Sequence, residues 1–117
     1  MLIRIKNLRL RTIVGVNEWE RERPQDVIVN VELEFDSKKA VETDNLKDTV
    51  NYKTLKQRII QKVESAQFFL VEKLASQILE IVMEDPKVQH AQVEVDKPHA
   101  LRFADSVSVI CKADRSK

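Results

Sequence analysis

The stretch from Gln25 to Asp36 constrains this chain more than any other. Val27, Val29, Val31, Leu33 and Phe35 occupy alternate positions, with Asp26, Asn30, Glu32 and Glu34 between them and Ile28 as the one exception. A period of two puts the apolar side chains on one face of a pleated strand and the carboxylates on the other. Such a strand needs a neighbour to pair with and an apolar layer over one side. The neighbour lies upstream, between Met1 and Gly15. Ile3 and Ile5 hold one phase and Leu8, Leu10 and Thr12 the other, so the alternation shifts near Asn7. A shift of phase within a strand marks a bulge. These two segments form a long hairpin, and the charged run from Val16 to Pro24, opened by Gly15, is the loop with a helical turn that joins them.

The covering layer comes next. Ser37 to Asp48 is polar and holds a short helical turn. Asn51 caps a helix from Tyr52 to Ser65, with Leu55, Ile59, Ile60 and Val63 as its buried stripe. A second helix runs from Leu70 to Glu84 with Leu74, Ile78, Ile81 and Val82 on one face, and Pro86 stops it. Ala91, Val93 and Val95 then alternate as a third strand that ends at Pro98, and Val107, Val109 and Cys111 mark a fourth. The order ββααββ predicts an α+β fold: an antiparallel four-stranded sheet with two helices on one face. The 117 residues make a single domain over residues 1–117. Long strands without interior prolines leave edges that invite pairing, so copies of the chain are expected to join their sheets in a ring.

Composition narrows the function. A single glycine excludes both the P-loop and the dinucleotide fingerprint. Twenty basic against nineteen acidic residues give a net charge of +1, which argues against nucleic acid as a partner. No apolar run is long enough for a membrane span. His90, His99 and Cys111 do not stand at zinc spacing, so no metal is expected. One cysteine cannot form an internal disulfide, and no secretory signal opens the sequence, which suggests a reducing cytoplasm.

Four residues carry chemistry that the fold alone does not require. Glu20 reads either as part of a solvated acidic loop or as a functional carboxylate. Tyr52 is either a rim aromatic at a helix start or a substrate contact. Glu72, in Leu70-Val71-Glu72-Lys73-Leu74, is favoured at a first turn by the helix dipole. The same carboxylate could instead accept two N–H bonds from a guanidine-like edge. Lys97 is held extended by Pro98. It is a strand-end surface lysine or, if buried, a group able to exchange protons near neutrality. His99 and Arg102 follow it as anion ligands or plain loop residues.

Together these elements resemble the dihydroneopterin aldolase family over essentially the whole chain. The matching segments are Gly15-Val16 with Glu20 and Gln25 downstream, Asp48-Thr49-Val50-Asn51-Tyr52, Leu70-Val71-Glu72-Lys73-Leu74, and Lys97-Pro98. Asn7-Leu8-Arg9-Leu10-Arg11-Thr12 and the stretch from His99 to Ser108 are most similar to the family's dihydroneopterin triphosphate 2′-epimerase branch. The resemblance implies the tunnelling fold (T-fold), with four subunits joined in a barrel, two rings stacked into a homo-octamer, and active sites between adjacent subunits. It implies a small-molecule pterin substrate and no cofactor. Glu72 would anchor the pterin edge, helped by backbone groups of Val71 and Val50. Lys97, Tyr52 and Glu20 would be the catalytic group around the substrate side chain, and His99 and Arg102 would meet the triphosphate. The implied reaction inverts C2′ by retro-aldol cleavage and re-addition, giving the dihydromonapterin isomer. The alternative is an aldolase of folate biosynthesis that releases glycolaldehyde and 6-hydroxymethyl-dihydropterin. One departure is Arg23-Pro24 before Gln25, where many aldolases carry glycine; it stiffens the loop that must place Glu20.

Overall fold

The computed structural model describes residues 1–115. Strand β1 (Leu2–Val14) leads through helix α1 (Glu18–Glu22) to β2 (Gln25–Phe35). Helix α2 (Lys38–Thr43) and a one-turn 3-10 helix (Leu46–Asp48) precede α3 (Tyr52–Ser65). After β3 (Gln67–Phe68) come α4 (Val71–Met83), β4 (Val88–Pro98) and β5 (Ser106–Asp114). The sheet runs in the order β3-β1-β2-β4-β5.

Pairing is antiparallel between β1 and β2, β2 and β4, and β4 and β5. The α+β class and the four long antiparallel strands agree with the sequence. The fifth strand does not. Only Gln67 and Phe68 form it, parallel to β1 at Ile13 and Val14, so the sheet is mixed rather than wholly antiparallel. Two residues are too few to display a period, and this strand is fixed by its partners instead. The Phe68 carbonyl accepts the Gly15 N–H at 3.1 Å, and the Phe68 side chain is buried.

The bulge in β1 has a visible cause. Ile5 pairs with Val31 but Leu8 with Val29, so β1 spends one extra residue there. Asn7 takes it up at φ 53°, a left-handed conformation that asparagine tolerates better than most side chains. Its N–H donates to Asn30 Oδ1 at 2.8 Å.

The core lies between the inner face of the sheet and two helices. Val27, Val29, Val31, Leu33 and Phe35 are all buried, as the alternation requires. Asn51 Oδ1 accepts the N–H groups of Lys53 and Thr54, so α3 starts at Tyr52. Leu55, Ile59 and Val63 of α3 are buried, while Ile60 is only half covered, at the flank of the stripe. Helix α4 buries Leu74, Ile78, Ile81 and Val82 with Ala75. Thr12, 2% exposed on the inner face, donates its hydroxyl to the Val63 carbonyl at 2.8 Å and so satisfies one of the orphan acceptors at the end of α3.

Thr12→Val keeps the shape and removes that donor. A buried acceptor left without a partner costs about 1–3 kcal/mol. The variant is expected to unfold at lower urea concentration by that margin with an unchanged slope, and an unchanged midpoint would mean that the Val63 carbonyl finds another donor.

Candidate active site

The site begins at the chain's only glycine. Gly15 has φ +137°, and a Cβ there would stand 2.3–2.5 Å from the carboxylate atoms of Glu20. Glycine is required on both counts, the backbone angle and the space. The room it leaves is taken by a carboxylate held by four donors. Asn17 precedes α1, and Glu20 Oε1 turns back to accept its backbone N–H at 3.1 Å and its Nδ2 at 2.8 Å. Glu20 Oε2 accepts from Lys97 Nζ at 2.5 Å and from Gln25 Nε2 at 3.4 Å.

Glu20 is 5% exposed and Lys97 9%, so the pair is buried. Burial alone pushes the carboxyl upward, but the bonds from Lys97, Asn17 and Gln25 outweigh it and hold Glu20 below the ordinary carboxylate value. Lys97 reaches this place by phase. Ala91, Val93 and Val95 point into the core, and Lys97 is the next residue on that face. The signal was present in the alternation of β4, two residues beyond where the apolar side chains stop.

Arg21 was not singled out from the sequence, where it is one charge among many in its loop. Its guanidinium donates to the Phe68 carbonyl at 2.6 Å and to Gln67 Oε1 at 3.3 Å, and it lies 4.0 Å from the centre of the Phe69 ring. This side chain ties α1 to the segment that enters α4. Val71 and Glu72 open α4, Val71 half-buried and Glu72 exposed in the first turn, where its carboxylate has no hydrogen-bond partner among the described residues and could accept two N–H groups.

Val50 and Tyr52 are elsewhere. Val50 is buried in a cleft of about 210 Å³ with Asn51, Ile81, Val82 and Glu84, at the C-terminal end of α4. Tyr52 is 55% exposed beside it. Helix α4 has 13 residues, and at 1.5 Å each it separates this cleft from Glu72 by about 20 Å. Within one protomer the fold therefore joins Glu20 and Lys97, ties α1 through Arg21 to the segment that leads into Val71 and Glu72, and leaves Val50 and Tyr52 at the other end of α4.

His99 and Arg102 sit on the exposed β4–β5 loop. His99 (φ 61°) and Phe103 (φ 69°) both adopt left-handed backbone. His99 lines a cavity with Pro98. Arg102 lies over the fully exposed Phe103 ring, 5.6 Å from its centre. The Arg23-Pro24 departure is accommodated: Arg11 Nη2 donates to the Pro24 carbonyl at 3.1 Å, and Glu20 is fixed in spite of the stiffer loop.

A carboxyl whose folded value is lowered stabilises the fold above its unfolded value, near 4.5, and loses that contribution as pH falls through the folded one. Wild-type stability is expected to drop more steeply than that of Glu20→Gln between pH 5 and lower pH, read from urea midpoints. Parallel curves would mean that Glu20 is not held ionised by its donors.

The dihydroneopterin aldolase (FolB) family profile matches residues 3–112. Dihydroneopterin triphosphate 2′-epimerase of Pseudomonas aeruginosa is 46% identical over 113 residues, covering 97% of this chain and 92% of that protein. Dihydroneopterin aldolase of Escherichia coli (strain K12) is 28% identical over 109 residues, covering 93% and 89%. The crystal structure of E. coli dihydroneopterin aldolase in complex with neopterin superposes with a TM-score of 0.91 at 27% identity, covering 97% of this chain and 98% of that one. The chain belongs to the dihydroneopterin aldolase family.

Proposed function

We propose that this protein is a dihydroneopterin triphosphate 2′-epimerase. The observation that carries the chemistry is the buried Lys97–Glu20 pair, two ionisable groups shielded from water and suited to proton exchange. The greater identity to the epimerase than to the aldolase favours inversion over net cleavage.

In this reading Glu72 accepts two N–H bonds from the pterin's amino-pyrimidinone edge, beside the backbone of Val71. The Lys97–Glu20 pair, directly or through water, takes the proton of the C2′ hydroxyl. The C1′–C2′ bond breaks, its electron pair moves into the ring imine of the dihydropterin, and C2′ becomes an aldehyde carbon. Re-addition of C1′ to the opposite face of that aldehyde reverses the flow and returns the proton, which leaves C2′ inverted. Release of the aldehyde instead is the aldolase outcome. The ring supplies the electron sink, so the residues handle only protons and position.

Val50 and Tyr52 then come from a neighbouring copy. Helix α4 holds them too far from Glu72 in their own chain, and β5 and most of β1 present unpaired edges among the described residues. A ring of four protomers, stacked in pairs as a homo-octamer in the cytoplasm, provides such a neighbour. Among the described residues no helix is long and apolar enough to cross a membrane.

Product analysis with dihydroneopterin triphosphate tests the reaction: the C2′ epimer is expected as the main product, and hydroxymethyl-dihydropterin as the main product would move the protein to the aldolase side. Lys97→Ala is expected to lower turnover by about 10²–10⁴-fold. Glu72→Gln is expected to weaken binding of a pterin analogue by about 1.5–3 kcal/mol in calorimetry while the protein stays folded. The divided site makes a sharper demand. Inactive Tyr52→Ala and inactive Lys97→Ala copies, refolded together, should regain activity, because some mixed sites carry both native residues. No recovery in mixed rings would put Tyr52 and Lys97 in the same protomer's site or remove Tyr52 from it.

A further inference from the structure

A cavity of about 530 Å³ opens where β2 begins and β4 ends, and side chains on the face of the sheet away from the helices reach into its lining. Arg9 and Arg11 of β1 line it together with Trp19, Gln25, Pro98 and His99. The two arginines alternate with buried Leu10 and Thr12, so both project to this outer side. Arg11 is steadied by the Pro24 carbonyl and lies 3.4 Å from Asp26. Arg9 stands opposite Ile28, so no carboxylate neutralises it across the strand pair. Asp96, one strand further on, is paired with Ile28 and does not line the cavity. Two guanidiniums and an imidazole thus face a single carboxylate.

That balance suits a polyphosphate. A guanidinium stays charged at any working pH and binds phosphate oxygens in pairs. The cavity also adjoins the catalytic pair. Gln25 lines it while donating to Glu20, and Pro98 directly follows Lys97. A substrate reacting at Lys97 can pass its tail around the start of β2 into this space.

We propose that the cavity is the subsite for the substrate's triphosphate, with Arg9 and Arg11 as its principal ligands and His99 as a third donor; this rests on the epimerase reading above. Arg9 and Arg11 lie on the segment from Asn7 to Thr12, which the proton transfers do not use. Their task is to retain the phosphorylated aldehyde between cleavage and re-addition.

The test combines binding and kinetics on the assembled protein. Calorimetry with inorganic triphosphate alone is expected to detect binding to the wild type and a loss of about ten- to a hundredfold in affinity for Arg9→Gln combined with Arg11→Gln. The same double variant should raise KM for dihydroneopterin triphosphate by a similar factor and lower its kcat/KM relative to the unphosphorylated pterin. Arg9→Lys, which keeps charge but not the paired geometry, should fall between. Unchanged triphosphate affinity and KM in the double variant would overturn the proposal, as would equal losses on both substrates, which would make the arginines supports of the sheet. A wild type that binds inorganic triphosphate through these arginines yet does not epimerise the phosphorylated pterin would overturn the reaction and leave the anion site standing.

Discussion

The buried contact between Glu20 and Lys97 governs the architecture at this end of the molecule. Removing two opposite charges from water costs several kcal/mol per ion, and the loss is offset only where geometry is good and the remaining bonding capacity is filled. Here it is filled from four directions. The end of β1 contributes a glycine that leaves room, α1 contributes Asn17, the start of β2 contributes Gln25, and the end of β4 contributes the lysine itself. Each of those elements must stop or turn where it does for the pair to close. A fold selected for stability alone would do as well or better with two apolar side chains in that volume. On the proposed function, the pair marks where the fold yields stability for chemistry.

Much of the scaffold was legible because it follows local rules. The alternation of β2, the bulge at Asn7 and the capped start of α3 each depend on residues close in sequence, and each is where the pattern puts it. Strand β3 was not legible, since it exists through Gly15 and Arg21, residues remote from it in the chain. Ile60 shows a milder version: helical periodicity assigns it to the stripe, but the sheet beneath α3 covers only Leu55, Ile59 and Val63 fully. The site divides in the same way. Locally Glu20 differs from Glu18 and Glu22 only as the third residue after Asn17, whose N–H it accepts; its burial against a lysine 77 positions away has no local signal. Lys97 was more readable than its neighbours allowed, because the period of β4 already pointed it inward.

The separation of Tyr52 from Glu72 follows from helix geometry rather than from any contact. Val50 and Tyr52 precede α3 or open it, Val71 and Glu72 open α4, and the chain runs through all of α3 before it turns into α4. The starts of two antiparallel helices necessarily lie at opposite ends of the layer, about 20 Å apart for helices of this length. The molecule is correspondingly elongated, at 52 × 25 × 24 Å. On the proposed function, a bicyclic ring held at Glu72 is far too short to reach Tyr52 in the same chain. Any ligand touched by both ends must therefore lie between two copies, with the first end of one layer against the second end of the next. In the proposed ring, the edges that β1 and β5 leave open among the described residues are what would bring copies side by side in that orientation. On the proposed function, the ββααββ order couples assembly to catalysis: a helical pair that covers the sheet well does not also join Tyr52 to Glu72 within one copy.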